Sequence, residues 1–72
     1  MKNANRNMDR KYISKYTDKL FVIEEDCPEV GSYLYVYSNN VCVYDSLQNG
    51  TYACMVVALD QYNIPLDSWI AQ

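Results

Sequence analysis

The sequence predicts an α+β fold in which a four-stranded antiparallel β-meander packs on one face against a single C-terminal helix, giving two layers. Three observations support this prediction. Residues 32–45 alternate between two kinds of side chain on either side of an Asn-Asn pair. A shorter alternating stretch and a β-branched run precede them, at residues 11–23. Helix-forming residues follow at 50–62 and end at an Asn-Ile-Pro sequence.

The length and composition favour one small folded domain. The chain has 72 residues, of which 50% are hydrophobic, as in a globular protein. Residues 1–10 are polar, rich in asparagine and without periodicity, so we expect a flexible tail ahead of a domain at residues 11–72. No apolar run approaches the ~20 residues of a membrane span, and no secretory signal is visible. We therefore expect a cytoplasmic protein.

Two predicted hairpins account for the four strands. In the first, alternation over residues 11–16 leads into Thr17 and Asp18, which are typical of a tight turn. The β-branched and aromatic run at residues 20–23 is then the second strand. An acidic loop with one proline and one glycine, residues 24–31, connects this hairpin to the next.

The second hairpin is centred on Asn39 and Asn40, which tolerate the positive φ angles of a two-residue type I′ turn. The predicted cross-strand pairs are then Ser38–Val41, Tyr37–Cys42, Val36–Val43 and Tyr35–Tyr44. Side-chain alternation then divides the hairpin into two faces. The face expected to meet the core carries Leu34, Val36, Val41 and Val43. The opposite face carries Tyr33, Tyr35, Tyr37, Cys42 and Tyr44. A tyrosine surface of this size needs either a cover from within the chain or a binding partner.

The helix is assigned from local signals, because the eight apolar residues 52–59 fit a buried strand as well as a helix. Asn49 is a suitable N-cap, and Asn63 followed by Ile-Pro is typical of a helix end, so we predict a helix over residues 50–62. Its apolar residues extend most of the way round, so either the sheet wraps it or another subunit covers part of it. After the helix, a short turn is expected to place Trp69 against the helix or the sheet edge.

The sequence offers little for catalysis or metal binding. It contains no histidine and no phosphate-binding glycine loop, so we expect no enzyme activity and no catalytic residues. Cys27, Cys42 and Cys54 have the spacing of neither a disulfide framework nor a zinc site, and we expect reduced thiols, with Cys42 and Cys54 partly buried. The acidic run at residues 24–26 lacks the ligand spacing of a calcium loop, so no metal or cofactor is predicted.

Charge is distributed unevenly along the chain. The first nineteen residues hold all six basic residues and two acidic ones, a net charge of +4. From Leu20 onward there are seven acidic residues and no basic one, a net charge of −7. Because neutralising phosphates takes Lys and Arg, direct nucleic-acid binding by the folded part is not expected. A protein with a basic surface is the better electrostatic match.

The candidate partner-binding site combines the tyrosine surface with the acidic residues beside it. Its predicted members are Tyr33, Tyr35, Tyr37, Tyr44, Glu24, Glu25, Asp26, Glu29 and Asp45. Three alternatives stay open. The tyrosines can pack against other aromatic residues of the same chain, they can be buried in a homodimer of a self-associating module, or they can stack on a nucleotide or second messenger.

Residues 30–37, 44–48 and 62–69 carry a resemblance to known proteins. They resemble a group of small, mostly uncharacterised bacterial and phage proteins of the toxin-immunity or anti-defence inhibitor type. The resemblance covers residues 12–70, implies a β-meander followed by a helix, and supplies no catalytic residues. In that group the helix usually carries Glu and Lys, whereas here it reads Tyr-Ala-Cys-Met-Val-Val-Ala-Leu.

Charge, tyrosine pattern and resemblance together predict a small acidic binding protein that is not an enzyme. We expect it to inhibit a larger partner with a basic, nucleic-acid-handling surface. A phage anti-defence factor such as an anti-CRISPR, or a toxin-immunity protein, would act in this way. Its expected location is the cytoplasm of a bacterial or phage-infected cell.

Overall fold

The computed structural model describes residues 10–72, so the predicted tail lies outside the described residues except for Arg10. The predicted α+β class is confirmed, with one helix packed on an open antiparallel sheet. The elements, in chain order, are β1 (Lys11–Tyr16), β2 (Lys19–Glu25), β3 (Ser32–Ser38), β4 (Val41–Gln48), α1 (Thr51–Tyr62), a 3₁₀ helix (Leu66–Ser68) and β5 (Ile70–Ala71).

The sheet has five strands in the order β4-β3-β2-β1-β5, so the prediction of four strands is wrong by one. The first four form the expected meander, and β5 adds to the free edge of β1. Ile70 pairs with Ile13, and the N–H of Gln72 donates to the carbonyl of Lys11 at 2.8 Å. A strand of two residues is too short for side-chain alternation to reveal it, which is why the sequence pattern missed β5.

The turn of the second hairpin is the predicted one. Asn39 and Asn40 have φ angles of 53° and 66°, both in the left-handed region that a type I′ turn requires. The two residue pairs next to the turn, Ser38–Val41 and Tyr37–Cys42, also have the predicted register.

Beyond these pairs the predicted register of β3 and β4 is wrong. Val36 pairs with Tyr44 because a β-bulge leaves Val43 as an extra residue in β4. The bulge places Tyr44 on the helix side of the sheet, where its ring meets that of Tyr62 with the centroids 6.2 Å apart. Val41 and Val43, expected in the core, are instead 61% and 54% exposed near the hairpin turn.

The core lies between α1 and the helix side of β2 and β3. Its fully buried apolar side chains are Phe21, Ile23, Leu34, Val36, Cys54, Ala58 and Ile64. Their alternate positions in β2 and β3 put all four strand residues on one side of the sheet. The ring of Phe21 packs edge to face against that of Tyr62, with the centroids 5.2 Å apart, so the last turn of the helix is fixed to the sheet.

Helix α1 begins one residue later than predicted and ends where expected. Gly50, rather than Asn49, occupies the N-cap position, and no side chain of residues 10–72 caps the first turn. The predicted end is confirmed, since Asn63 has a left-handed backbone with φ 60°. Its N–H donates to the carbonyl of Leu59 at 2.9 Å.

The segment after α1 returns along the helix side of the sheet. Trp69 is half-buried and packs against the core, as predicted. The hydroxyl of Ser68, in the 3₁₀ helix, lies 2.8 Å from the hydroxyl of Ser14 in β1. In residues 10–72 no helix has both the length and the apolar character that crossing a membrane would require.

Candidate functional site

The sheet has a second side, which neither α1 nor the 3₁₀ helix covers; we call it the open face. Strand pairing arranges its side chains in three rows that run across the sheet from β4 towards β1. The first row is Leu47, Tyr33, Glu24 and Lys11; the second is Asp45, Tyr35, Val22, Ile13 and Ile70; the third is Cys42, Tyr37, Leu20 and Lys15. Aromatic and aliphatic side chains fill the middle, and charged side chains lie mainly in the outer strands.

Three tyrosines of β3 form a continuous ladder along the open face. The rings of Tyr33 and Tyr35 are stacked, with centroids 6.0 Å apart and planes 14° from parallel. The ring of Tyr37 continues the ladder at 6.4 Å from that of Tyr35. Each ring is half-buried, and beside them Val22 is only 7% exposed. Because neighbouring rings already restrict one another, the tyrosine side chains lose little conformational entropy when a partner binds them.

The central tyrosine of this ladder is harder to deprotonate than a free tyrosine. Partial burial raises the pKa of Tyr35, and the nearby carboxylates of Glu24 and Asp45 raise it further. A protonated phenol can donate a hydrogen bond to a carbonyl or carboxylate of a partner. The ladder is therefore apolar along its length and polar at its outer rim.

Tyr44 does not belong to the open face, and its predicted place there is a correction that follows from the bulge. Its ring is part of the packing around the core on the helix side. Cys42, by contrast, does lie on the open face and is exposed, so the expectation of a partly buried Cys42 is wrong. Cys54 is buried in the core, where burial raises the pKa of its thiol to about 11.

The predicted acidic residues of the strands lie on different sides of the sheet. Glu24 and Asp45 are on the open face, where Glu24 forms a half-exposed ion pair with Lys11, with Nζ and Oε2 3.6 Å apart. Glu25 points to the helix side and accepts a hydrogen bond from the hydroxyl of Thr51, the first residue of α1. Glu25 therefore has a structural contact and is separated from the tyrosines.

The remaining two acidic residues, Asp26 and Glu29, are exposed in the loop between β2 and β3. The Asp26 carboxylate accepts a hydrogen bond from the N–H of Cys27 at 2.7 Å, and the Asp26 N–H donates to the carbonyl of Gly31 at 2.8 Å. Gly31 also lies directly against the backbone of Gln48. The loop is thus fixed to the end of β4, and its carboxylates lie at the same end of the sheet as Glu24.

The sequence reading missed the basic residues of the open face. Lys11 and Lys15 share the parity of Ile13 in β1, and pairing with β2 brings all three onto the side that carries the tyrosines. Their alternation with Ile13 is the signal that could have found them. The open face therefore has a basic strand, β1, beside the two-residue edge strand β5, and an acidic edge strand, β4, which contains Asp45.

A shallow depression of about 660 Å³ lies at the end of the sheet where the two hairpin turns are side by side. Its lining combines lysine, amide, hydroxyl and aromatic groups: Lys15, Thr17, Asp18, Lys19, Leu20, Tyr37, Asn39 and Asn40. Thr17 has a φ of 59°, which is unusual for a β-branched residue. Backbone strain of this kind often occurs at functional sites.

The outer side of α1 is a second apolar surface. Tyr52, Val56 and Leu59 follow one another along the helix and are exposed, Tyr52 by 66%. Of the two options that the apolar helix left open, wrapping by the sheet is therefore wrong. Tyr52 also provides an exposed tyrosine away from the open face, against which the tyrosine ladder can be compared.

No group of three or more acidic or cysteine side chains within residues 10–72 is arranged to hold a metal ion. In comparisons with known proteins, no family model, curated protein or solved structure matches the chain. The resemblance to bacterial and phage inhibitors therefore stays a prediction.

Proposed function

We propose that this protein is a non-enzymatic binding protein that inhibits a larger protein by covering a basic surface with its open face. The observation that carries the proposal is the ladder of Tyr33, Tyr35 and Tyr37, which lies between the carboxylates of Glu24 and Asp45 on a side of the sheet that no helix of residues 10–72 covers. Tyrosine is enriched among the residues that contribute most to protein-protein affinity.

The open face has the apolar centre and the charged rim of a typical protein-protein interface. Val22 of β2 and Ile13 of β1 extend the apolar area from the tyrosines across the sheet, while charged residues form the rim. The central residues would supply affinity once they are desolvated, and the rim would supply orientation. With a net charge of −3, and −7 after Lys19, the protein would be steered towards a positively charged partner.

Inhibition follows if that basic surface normally holds nucleic acid. The carboxylates of Glu24, Glu29 and Asp45 would then occupy positions that phosphates take in the partner's own complex. The tyrosines would slow dissociation by burying apolar area around these contacts. A phage anti-defence protein, including an anti-CRISPR, or a toxin-immunity protein works at such a surface, in the cytoplasm of a bacterial or phage-infected cell.

Capture from bacterial lysate tests the proposal. The tagged protein is washed at low and then at high salt, and any retained protein is identified and assayed with its nucleic acid. We expect one stoichiometric partner with a basic surface, partial release by salt, and loss of that partner's nucleic-acid activity when the protein is added. Failure to retain such a partner at low salt, or a retained partner whose activity is unchanged, would contradict the proposal.

Charge reversal tests the electrostatic part separately. The exposed residues Glu29 and Asp45 are changed to lysine together, and Asp60 and Asp67, which lie on the helix side, are changed together as the matched control. Glu25 is left unchanged because it contacts the first turn of α1. We expect the first pair to slow association with the captured partner by roughly tenfold at low salt, with little effect from the control pair. Equal association rates for both variants would remove electrostatic steering from the account.

A second candidate function, binding of a nucleotide or second messenger, is supported by the depression between the hairpin turns. Its volume of about 660 Å³ suits a small ligand. The ring of Tyr37 offers a stacking surface for a base, and Lys15 and Lys19 offer cations for a phosphate. We expect a nucleotide that binds there to raise Tm in the wild type and to lose this effect in Tyr37→Ala. Absence of a shift across a nucleotide panel would contradict this candidate.

A further inference from the structure

The open face is self-complementary in charge. Towards one edge, β1 carries Lys11 and Lys15; at the other edge, β4 carries Asp45; and the two strands between them carry mainly tyrosines and aliphatic side chains. Asp45 lies in the middle row, between the rows that contain the two lysines. A surface with opposite charges at its two edges can pair with a second copy of itself if the copies are turned so that unlike edges meet.

One symmetry operation brings the unlike edges together. A two-fold axis parallel to the strands, placed between two facing sheets and midway between β2 and β3, lays β4 of each copy over β1 of the other. Tyr35 then lies over the second copy's Val22, and Tyr37 over its Leu20. Aligned packing of two sheets, about 10 Å apart, is a common arrangement of this kind. Asp45 lies over the second copy's β1, within reach of the long side chains of its two lysines.

We propose that two copies of this chain pair open face to open face about this axis. The dimer itself does not require the proposed function. If the proposed function also holds, the inhibited partner and the second copy compete for the same face. Self-association would cover the tyrosines while no partner is present. Glu24 would lie over the second copy's Tyr33, whose hydroxyl can donate to its carboxylate.

The size of the face sets the strength of this association. Four strands spaced about 4.8 Å apart and about 20 Å long give two matching surfaces that together bury on the order of 1,000 Å². This lies at the low end for specific interfaces. We therefore expect a reversible dimer with a dissociation constant in the micromolar range, which a tighter-binding partner can displace.

Sedimentation equilibrium with two exposed charge variants tests the pairing. In Lys15→Glu or Asp45→Lys alone, like charges meet at both edges of the symmetric dimer, and we expect the dissociation constant to rise by about tenfold. In an equimolar mixture of the two variants, Asp45 of one copy faces two lysines and the lysine introduced in the other copy faces the introduced glutamate, so we expect stronger association than for either variant alone. Asp60→Lys, on α1, is the matched control and should associate like the wild type.

Three results would overturn the proposal: a wild-type protein that stays monomeric at millimolar concentration, single variants that dimerise as strongly as the wild type, or a mixture that associates no more strongly than either variant alone. The second result would assign the dimer to another surface, such as the exposed residues of α1. Capture of the inhibited partner is measured separately, with the Lys15→Glu variant. A monomeric wild type that still captures the partner would overturn only the dimer, and a dimer without such a partner would overturn only the proposed function.

Discussion

Gly31 is a position where a single added methyl group should disturb the fold. It ends the loop between β2 and β3, has a φ of 111°, and lies so close to the end of β4 that an added Cβ would be 2.1 Å from the carbonyl oxygen of Gln48. The atom that the added Cβ would meet belongs to the backbone, so no flexible side chain can move aside to relieve the contact. Gly31→Ala must therefore shift the loop or separate β3 from β4 at this end of the sheet.

The expected loss can be estimated from these two effects. An L-residue forced into this region of φ costs on the order of 1–3 kcal/mol, and separating the two backbones costs at least one ladder hydrogen bond, about 1 kcal/mol. Together they predict a fall of about 3 kcal/mol in the free energy of unfolding. A domain of this size is stabilised by only roughly 4–11 kcal/mol. The change corresponds to a drop in Tm of roughly 15 °C.

The second glycine of the chain is the matched control. Gly50 has an extended backbone that any residue adopts, and no other part of residues 10–72 lies within 4 Å of an added Cβ. We expect Gly50→Ala to leave stability unchanged or to raise it by about 0.5 kcal/mol through the unfolded state. Urea unfolding followed by circular dichroism measures both variants. If Gly31→Ala unfolded within about 0.5 kcal/mol of the wild type, the packing of this loop against β4 would be wrong.

Three further predictions concern stability. Burial raises the pKa of Cys54 from 9.0 to about 11, so the folded state favours the neutral thiol. The resulting stabilisation is complete below pH 9, and about 2–3 kcal/mol of it should be lost as the pH rises from 9 to 11. In pH-dependent urea unfolding, Cys54→Ala should not show this loss. Thr17 is β-branched at a φ of 59°, so Thr17→Gly should raise Tm through a gain of roughly 0.5–1 kcal/mol, and a fall in Tm would contradict strain at this turn. Tyr44→Ala should cost about 2–3 kcal/mol because its ring packs on Tyr62 and the core, several times the cost of Tyr52→Ala at an exposed position; equal costs in thermal unfolding would argue against the bulge.

Much of the fold follows from local sequence. The two hairpins and their turns follow from alternation and from residues such as Asn39 that accept positive φ, and the end of α1 follows from Asn63. The bulge at Val43 does not follow, because residues 41–44, Val-Cys-Val-Tyr, fit an unbroken alternation as well as a bulged strand. What selects the bulged register is the packing of Tyr44 beneath α1, a tertiary contact that a local pattern does not encode.

The candidate site could be predicted only in part, because contacts between strands decide which side chains become neighbours. The tyrosines of β3 share one parity, so their common face could be read directly from the sequence. Glu25 has the parity of Phe21 and Ile23, and that parity, rather than its place in an acidic run, decides that it points to the helix side. The basic edge of the open face emerged only when β1 was paired with β2, because charge counted along the chain does not show which strands become neighbours.

If the open face is the binding surface, tyrosine variants on the open face and on α1 should differ in partner capture. Capture of the lysate partner is compared for the wild type, Tyr35→Ala on the ladder and Tyr52→Ala on the exposed side of α1, with folding checked by circular dichroism. Leu47→Ser, at an exposed position in the first row of the open face, tests the same surface without altering a ladder ring. We expect Tyr35→Ala and Leu47→Ser to lose most of the captured partner, and Tyr52→Ala to retain it. Loss with Tyr52→Ala, and retention with both open-face variants, would place the binding surface on α1 and contradict the account.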